Sequence, residues 1–282
     1  ASRAADLFPP MDHPELGVTA PAAAASASES DQADGGDLDR ADGMMAPGGD
    51  RDSLRLSERD EELIAAAAAS NPSTVVSVQC GSAVMMPWID SVPTVLVSWY
   101  CGVEGGHALA DLLVGDAEPG GRLPFVIPAD AADLVHFDKD ATEETYGLLH
   151  GQWHLDATER PAAHPFGAGL GFTDWQIGGA LAVDDDTVRV RVENTGSRPG
   201  STVVFVHAAV PDSSVERPAR RLVGFARAAA EAGDSAEIDV AVDWRQLDVR
   251  RDGSWWREPG RCELHVGFDA THRAHVVEVD RR

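Results

Sequence analysis

The feature that most constrains the fold is a change in hydrophobic period near residue 170. Before it, short apolar β-branched runs alternate with helical segments, which is typical of an α/β sheet. After it, apolar and polar residues alternate with a period of two, as in strands that bury one face. The sequence therefore predicts an α/β part with a partial doubly wound, mostly parallel sheet, followed by an all-β sandwich.

The α/β part is predicted from helix and strand signals. Ser57, with Asp60 three residues later, favours the start of a helix. The runs "TVVSVQCG" (74–81) and "TVLVSWY" (94–100) are typical of buried parallel strands. A second helix is predicted over "VEGGHALADLLVG" (103–115), ending at its last glycine.

The carboxyl ends of the two predicted strands are the expected ligand edge of this sheet. Ligands of doubly wound sheets bind beyond these ends, which here are residues 79–81 and 99–102. Cys80 and Cys101 close the apolar runs, so we expect buried, reduced thiols. With Cys262 they have no metal-binding spacing.

The β part carries turn signals between its alternating strands. Asn194-Thr195-Gly196 separates two alternating runs, and Asp252-Gly253 predicts a hairpin. Trp255 and Trp256 on that hairpin are expected to fill the sandwich core and cover an edge; the alternative is a stacking platform for a sugar. Several strands within roughly 110 residues favour a sandwich of the immunoglobulin or fibronectin type.

The first 47 residues show little periodicity. They are rich in Ala, Ser, Asp, Gly and Pro, and cannot bury enough apolar surface to offset the entropy of ordering. We expect residues 1–47 to be disordered, residues 48–169 to form the α/β part, and residues 170–282 to form the sandwich.

The charge balance restricts the partners. The chain carries 47 acidic and 23 basic residues, a formal net charge of -24, and Lys139 is its single lysine. No basic stripe is present to meet nucleic acid or an anionic membrane. Dense carboxylates favour a protein adapted to concentrated salt, where screening relieves their repulsion.

Localisation follows from the same composition. The apolar runs are shorter than a membrane span, and the N-terminal segment lacks the basic start of a signal peptide. We therefore expect a cytoplasmic protein in a high-salt cytosol. The alternative is that the acidic residues serve solubility alone.

Six segments, in this order along the chain, resemble glycoside hydrolase family 3, the β-glucosidase group. They are "GGDRDSLRL", "NPSTVVSVQCGSAVMMPW", "SWYCGVEGGHALADLL", "GDAEPGGRLPFVIP" (115–128), "HPFGAGLGFTDW" and the run from "VRVRVENTG" to "RRLVGF". The resemblance implies the family's C-terminal α/β sandwich followed by a fibronectin type III-like domain. It also implies hydrolysis of O-glycosyl bonds, with no cofactor and no metal.

The resemblance implies that the catalytic pair is missing from these residues. Family members are retaining enzymes whose N-terminal (β/α)8 barrel supplies an aspartate nucleophile, and residues 1–47 cannot form a barrel of about 250 residues. The α/β part usually adds an acid/base glutamate in a Glu-Gly-x-Asp-Arg loop. Matching that loop on Asp50-Arg51 places Pro47 at the glutamate position. We therefore assign no catalytic residue to this chain.

Four residues are candidates for contact with a sugar. Asp50 and Arg51 could line a shared cleft, although such a pair more often fixes its own turn. Glu104 starts a helix after a strand; the alternative is that it only complements the helix dipole. Trp153, in "YGLLHGQWHLD" (146–156), could stack on a pyranose ring, or it could pack under a loop.

The sequence thus predicts an incomplete glycoside hydrolase of the β-glucosidase type, inactive as an isolated chain. The expected partners are a β-glucoside or oligosaccharide and a barrel-containing chain, as in a split glycosidase. Two alternatives stay open: a non-catalytic carbohydrate-binding or scaffold module, and the product of a degenerate gene.

Overall fold

The computed structural model describes residues 53–138 and 141–281. Its helices are α1 (Glu58–Ser70), α2 (Gly105–Val114) and α3 (Gln152–Thr158). Its strands are β1 (Val75–Val78), β2 (Thr94–Val97), β3 (Ile127–Pro128), β4 (Ala162–His164), β5 (Trp175–Asp184), β6 (Thr187–Asn194), β7 (Gly200–Ala209), β8 (Arg221–Ala230), β9 (Ser235–Ala241), β10 (Val249–Arg251), β11 (Ser254–Trp256), β12 (Gly260–Gly267) and β13 (His275–Arg281). None of the helices in these ranges has the length and apolar character needed to cross a lipid bilayer.

The helix signals of the α/β part are confirmed. The Ser57 hydroxyl accepts a hydrogen bond from the Asp60 amide at 3.2 Å and caps α1. α2 ends at Gly115, which has φ +79°, a left-handed conformation that glycine adopts without steric cost. Local hydrogen-bonding and backbone constraints thus fix these boundaries.

The two predicted strands pair in parallel, but they are not buried as the sequence suggested. Val75 of β1 pairs with Thr94 of β2, and the register continues to Val78 and Val97. Val78 is buried, whereas Val75 is exposed. The reason is that β1 and β2 form a two-stranded sheet within the described residues, so each strand is an edge strand.

Cys101 corrects a second expectation, because its thiol is exposed rather than buried. It lies beyond the end of β2, where Trp99 adopts φ +49° and the chain turns away from the sheet. The end of the apolar run at Cys101 therefore does not coincide with the end of the strand β2. Cys262, in β12, is buried, and burial raises the pKa of its thiol to about 11.

The second part is a β-sandwich of two antiparallel sheets. One sheet has the order β5-β6-β9 and the other has the order β13-β12-β7-β8. Their facing side chains form the main core of the described residues, which includes fully buried valines and Leu264. Period-two alternation in β6 and β9 places apolar residues on the core side, as the sequence predicted.

The turn after Asn194 connects the two sheets and does not form a hairpin, because β6 and β7 belong to different sheets. The buried Asn194 side chain holds this crossing. It donates to the carbonyl oxygens of Arg198 at 2.7 Å and Ala230 at 3.1 Å, and it accepts from the Thr173 hydroxyl at 2.6 Å. A buried amide is favourable here because each of its polar groups is paired.

The Asp252-Gly253 hairpin is confirmed, with β10 and β11 paired on either side. Both turn residues have positive φ, as a two-residue hairpin loop of this kind requires. Trp255 is 69% exposed, so its predicted place in the core is wrong. The pair β10-β11 forms its own two-stranded sheet, which explains why the sandwich does not cover this ring.

The two parts are joined by a stretch that we call the docking segment, residues 115–122. Its central contact is the Glu118 carboxylate, which accepts from the amides of Phe172 at 3.0 Å and Ser201 at 2.8 Å. Gly171 and Gly200 leave room for this carboxylate, since an added Cβ would lie 2.5 Å and 2.7 Å from its oxygens. A charged acceptor thus satisfies the amides at the start of the sandwich.

Arginines from the sandwich strengthen the same junction. They donate to carbonyl oxygens of the docking segment, and one arginine of that segment donates to the sandwich. The pairs are Arg198 to Gly115 at 3.1 Å, Arg227 to Gly120 at 3.1 Å, and Arg122 to the Thr202 hydroxyl at 3.1 Å. Burial and the nearby Arg227 lower the pKa of Arg122. The docking segment therefore holds both parts in one arrangement.

We predict that Glu118→Gln lowers the stability of the junction by about 1–3 kcal/mol, because glutamine has one neutral acceptor oxygen, so one of the two amides loses its acceptor. Differential scanning calorimetry should show a lower transition temperature or the separation of one transition into two. Asp116→Asn is the matched control, since it neutralises an exposed carboxylate in the same segment. Equal stability of the two variants would contradict the role of Glu118.

Candidate functional site

Two places in the structure qualify as a functional site. The first is the edge where β1 and β2 end, which the topology predicts for ligands. The second is a cleft of about 1060 Å³ between the α/β part and the sandwich. The described candidate residues are divided between them: Glu104 lies at the edge and Trp153 in the cleft.

The strand edge presents apolar side chains and one carboxylate to the surface. Tyr100 and Val103, which follow β2, are 82% and 99% exposed. Glu104 directly precedes α2, and its side chain makes no capping hydrogen bond to that helix. Its carboxylate contacts the His107 ring instead, with 2.6 Å between Oε2 and Nδ1. This exposed carboxylate therefore remains accessible to a ligand or to a covering partner.

The loop with Asp50 and Arg51 lies outside the described residues, as does Pro47. Their proposed positions therefore rest on the sequence pattern alone. The structure begins at Ser53, whose hydroxyl accepts a hydrogen bond from the Arg55 amide at 3.1 Å.

The wall of the cleft on the α/β side is formed by α3. Gly151, with φ +54°, turns the chain into this helix. Gln152 then connects two elements: its side chain donates to Asp156 at 2.9 Å and accepts from the Phe166 amide at 3.1 Å. Gln152 thus has a structural role in holding α3 against the chain that leads to the sandwich.

Trp153 is half-buried in the wall of the cleft. The Arg221 guanidinium lies over its ring at 5.4 Å from the centroid, and His150 meets it edge-on at 5.4 Å. The cation and the ring attract each other, which fixes the plane of the indole. Trp153 therefore combines packing under the loop with a position at the cleft surface.

A buried ion pair closes the floor of the cleft. Arg220, from the sandwich, donates to the Asp156 carboxylate at 3.2 Å and to the Ala270 carbonyl oxygen at 2.6 Å. The Arg220 side chain is buried, with an exposed fraction of 8%, and that of Asp156 is largely buried, with 14%. Burial lowers the pKa of Arg220, and Asp156 opposes that effect. The pair connects the two walls and orients α3.

His207 lies in the same cleft, on the neighbouring strand β7. Burial lowers its pKa from about 6.5 to about 4, and the positive charge of Arg220 acts in the same direction. His265, opposite it on β12, also has a lowered pKa, mainly through burial. Both rings are therefore neutral near pH 7, and the cleft holds a neutral imidazole beside a paired guanidinium.

Several of these residues carry no signal in the sequence. Arg220 lies among several arginines in "VERPARRL", and His207 lies in an apolar strand. Asp156 lies in the same run as Trp153, but nothing in that run identifies its partner. Sequence spacing cannot pair residues that are 64 positions apart, so only the folded chain reveals the contact.

Comparisons with known proteins define the class of protein to which this chain belongs. The model of the glycosyl hydrolase family 3 C-terminal domain matches residues 19–172, and a fibronectin type III-like domain model matches residues 202–270. The chain belongs to glycosyl hydrolase family 3. The first match begins earlier than residue 48 and includes part of the segment expected to be disordered.

Relatives and solved structures agree on the region of resemblance. A β-glucosidase of Rhizobium radiobacter is 37% identical over 235 residues, and β-glucosidase B of Emericella nidulans is 36% identical over 242 residues. They match 77% and 78% of this chain, which in turn spans about 29% of the length of each. The structure of a family 3 β-glucosidase from Bifidobacterium adolescentis superimposes with a TM-score of 0.75 at 30% identity, over 84% of this chain and 37% of that one.

The lowered pKa of His207 predicts a pH dependence of folding. Between about pH 6.5 and pH 4 the unfolded chain binds a proton at this histidine that the folded chain excludes, so the free energy of unfolding falls as the pH falls. A pKa that falls from 6.5 to about 4 corresponds to roughly 3 kcal/mol. His207→Phe should flatten this part of the profile.

The measurement is chemical denaturation of both proteins at pH 7.5, 6, 5 and 4. A difference in the free energy of unfolding at pH 7.5 reports a change in packing. A difference in the slope of that free energy against pH reports the titration of His207. Identical slopes for the wild type and the variant would show that His207 does not titrate in this way.

Proposed function

We propose that these 282 residues provide the C-terminal part of a β-glucosidase-type hydrolase, and that they do not hydrolyse β-glucosides on their own. The observation that carries the proposal is family membership, together with relatives that are named β-glucosidases and are covered over only about 29% of their length. The substrate class follows from those relatives: a β-glucoside or a related oligosaccharide.

The predicted lack of activity has a chemical reason. Retaining hydrolysis needs two carboxyl groups about 5–5.5 Å apart, one as nucleophile and one as proton donor. The family pattern assigns the nucleophile to a barrel and the proton donor to the position of Pro47, whose side chain can neither donate nor accept a proton. Loss of a general acid alone lowers the rate by about 10²–10⁴.

The edge where β1 and β2 end supports a non-catalytic role for this chain in binding the sugar. Glu104 offers an exposed carboxylate, which can accept hydrogen bonds from sugar hydroxyl groups, and we propose the same role for Asp50 and Arg51. The exposed rings and methyl groups of Tyr100 and Val103 lie on the same edge and favour coverage by a barrel, supplied by a partner chain. In this arrangement the chain closes and lines the sugar site.

A chimera tests the catalytic assignment. The part of the Rhizobium radiobacter relative that this chain does not match is joined to this chain, and hydrolysis of 4-nitrophenyl β-glucoside is measured in concentrated KCl. We expect no turnover by the chain alone and slow turnover by the chimera. Pro47→Glu should raise the kcat of the chimera by about 10²–10⁴, because it restores a general acid.

Ala46→Glu is the matched control, since it adds the same carboxylate one position away and should leave the slow rate unchanged. Circular dichroism confirms that all forms are folded. Saturable hydrolysis by the unmodified chain would overturn the proposed inactivity. An unmodified chimera as fast as the Pro47→Glu form would refute the assignment of that position.

We further propose that the protein works in concentrated salt, for which the surplus of 24 negative charges is the support. The exposed turn with Asp184, Asp185 and Asp186 illustrates how closely like charges lie on its surface. Molar salt shortens the screening length to about 3 Å and relieves this repulsion.

The melting temperature should therefore rise steadily from 0.1 M to multimolar KCl. Differential scanning fluorimetry over that range is the measurement. A melting temperature that stays constant or falls would favour acidic residues that serve solubility alone.

A further inference from the structure

The interdomain cleft continues into a second, smaller cavity. That cavity has a volume of about 350 Å³ and is lined by Arg245, Asp248 and Trp255. Asp243 and Gln246 line both cavities, so the two lie side by side. We call the combined surface the long groove; it extends from Trp153 in the α/β part to Trp255 on the β10-β11 hairpin.

Exposed aromatic rings are concentrated in this groove. Aromatic residues make up 6% of the chain, and six of them are exposed among the described residues. Four of these six line the two cavities; they are Phe137, Tyr146, Phe225 and Trp255. Exposed rings distributed at random would not gather along one groove, and such a concentration marks a binding surface.

The two tryptophans of the groove are held in place by arginines. Arg250 lies 5.5 Å from the ring centroid of Trp255, and Arg221 lies 5.4 Å from that of Trp153. This contact orients the Trp255 ring while most of the residue remains exposed. A ring that is already oriented loses little entropy when a ligand stacks on it.

Planar polar groups lie between the tryptophans. Asp243 accepts hydrogen bonds from Arg245 at 2.8 Å and from Gln246 at 3.2 Å, and the Arg245 contact is the main reason why its pKa falls to about 2. The Asp243 and Arg245 charges therefore compensate each other, so this part of the groove offers no net charge to an ionic ligand. The Arg245 and Gln246 side chains also line the groove and can form hydrogen bonds with hydroxyl groups.

From this arrangement we infer that the long groove binds a neutral oligosaccharide in an extended form. Trp153 and Trp255 stack on the apolar faces of sugar rings at its two ends, and Arg245 and Gln246 bind hydroxyl groups between them. A cleft of about 1060 Å³ with a further 350 Å³ beyond it is larger than a single sugar needs. This inference adds a second, non-catalytic binding site for the proposed substrate class and rests on the proposed function.

Isothermal titration calorimetry of the whole chain with cellotetraose and with glucose tests the inference. We expect cellotetraose to bind at least tenfold more tightly than glucose. Trp255→Ala and Trp153→Ala should each weaken the binding of cellotetraose at least fivefold. Trp256→Ala is the matched control, because this neighbour on the same hairpin also stacks with an arginine, Arg251, but does not line the groove.

Trp255 is exposed, so its variant should fold even if the variant at the half-buried Trp153 does not. The inference is overturned if cellotetraose does not bind, if glucose binds equally well, or if Trp255→Ala binds as the wild type does. Binding is measured without turnover, so its failure is distinguishable from failure of the chimera. An active Pro47→Glu chimera without groove binding would leave the proposed function in place and refute the groove.

Discussion

The arrangement of the two parts depends on one carboxylate, that of Glu118. It satisfies the amides of Phe172 and Ser201, where the chain enters the sandwich, and glycines at positions 171 and 200 leave space for it. Three arginine contacts surround it and add to the same junction. This junction, together with the Arg220–Asp156 pair, fixes the walls of the interdomain cleft, because one wall belongs to α3 and the other to β7 and β8.

The docking segment also explains why its sequence is so recognisable. "GDAEPGGR" combines a helix stop, a carboxylate and small residues, and each has a structural task at the junction. Gly115 ends α2 and its carbonyl oxygen accepts from Arg198, while the carbonyl oxygen of Gly120 accepts from Arg227. The family signature is therefore a contact between domains rather than a catalytic motif.

Sequence patterns predicted the parts of the fold that are set locally. The Ser57 cap, the Gly115 stop, the Asp252-Gly253 hairpin and the alternation of β6 each depend on neighbouring residues, and each is confirmed. Burial was harder to predict, because it depends on what covers a strand. Val75, Cys101 and Trp255 looked like core residues by composition, but within the described residues they lie on edges or turns of two-stranded sheets.

The candidate site was predicted only in outline. Trp153 lies in a cleft wall and Glu104 at the predicted ligand edge, yet the contacts that orient the cleft, such as Arg220 with Asp156, join positions far apart in the chain. The most direct test of the account is hydrogen exchange at the amides of Phe172 and Ser201. The account predicts protection close to that of the buried strand residue Val204, because both amides bind Glu118. Exchange at the rate of an open loop would contradict the fixed junction on which the cleft and the groove depend.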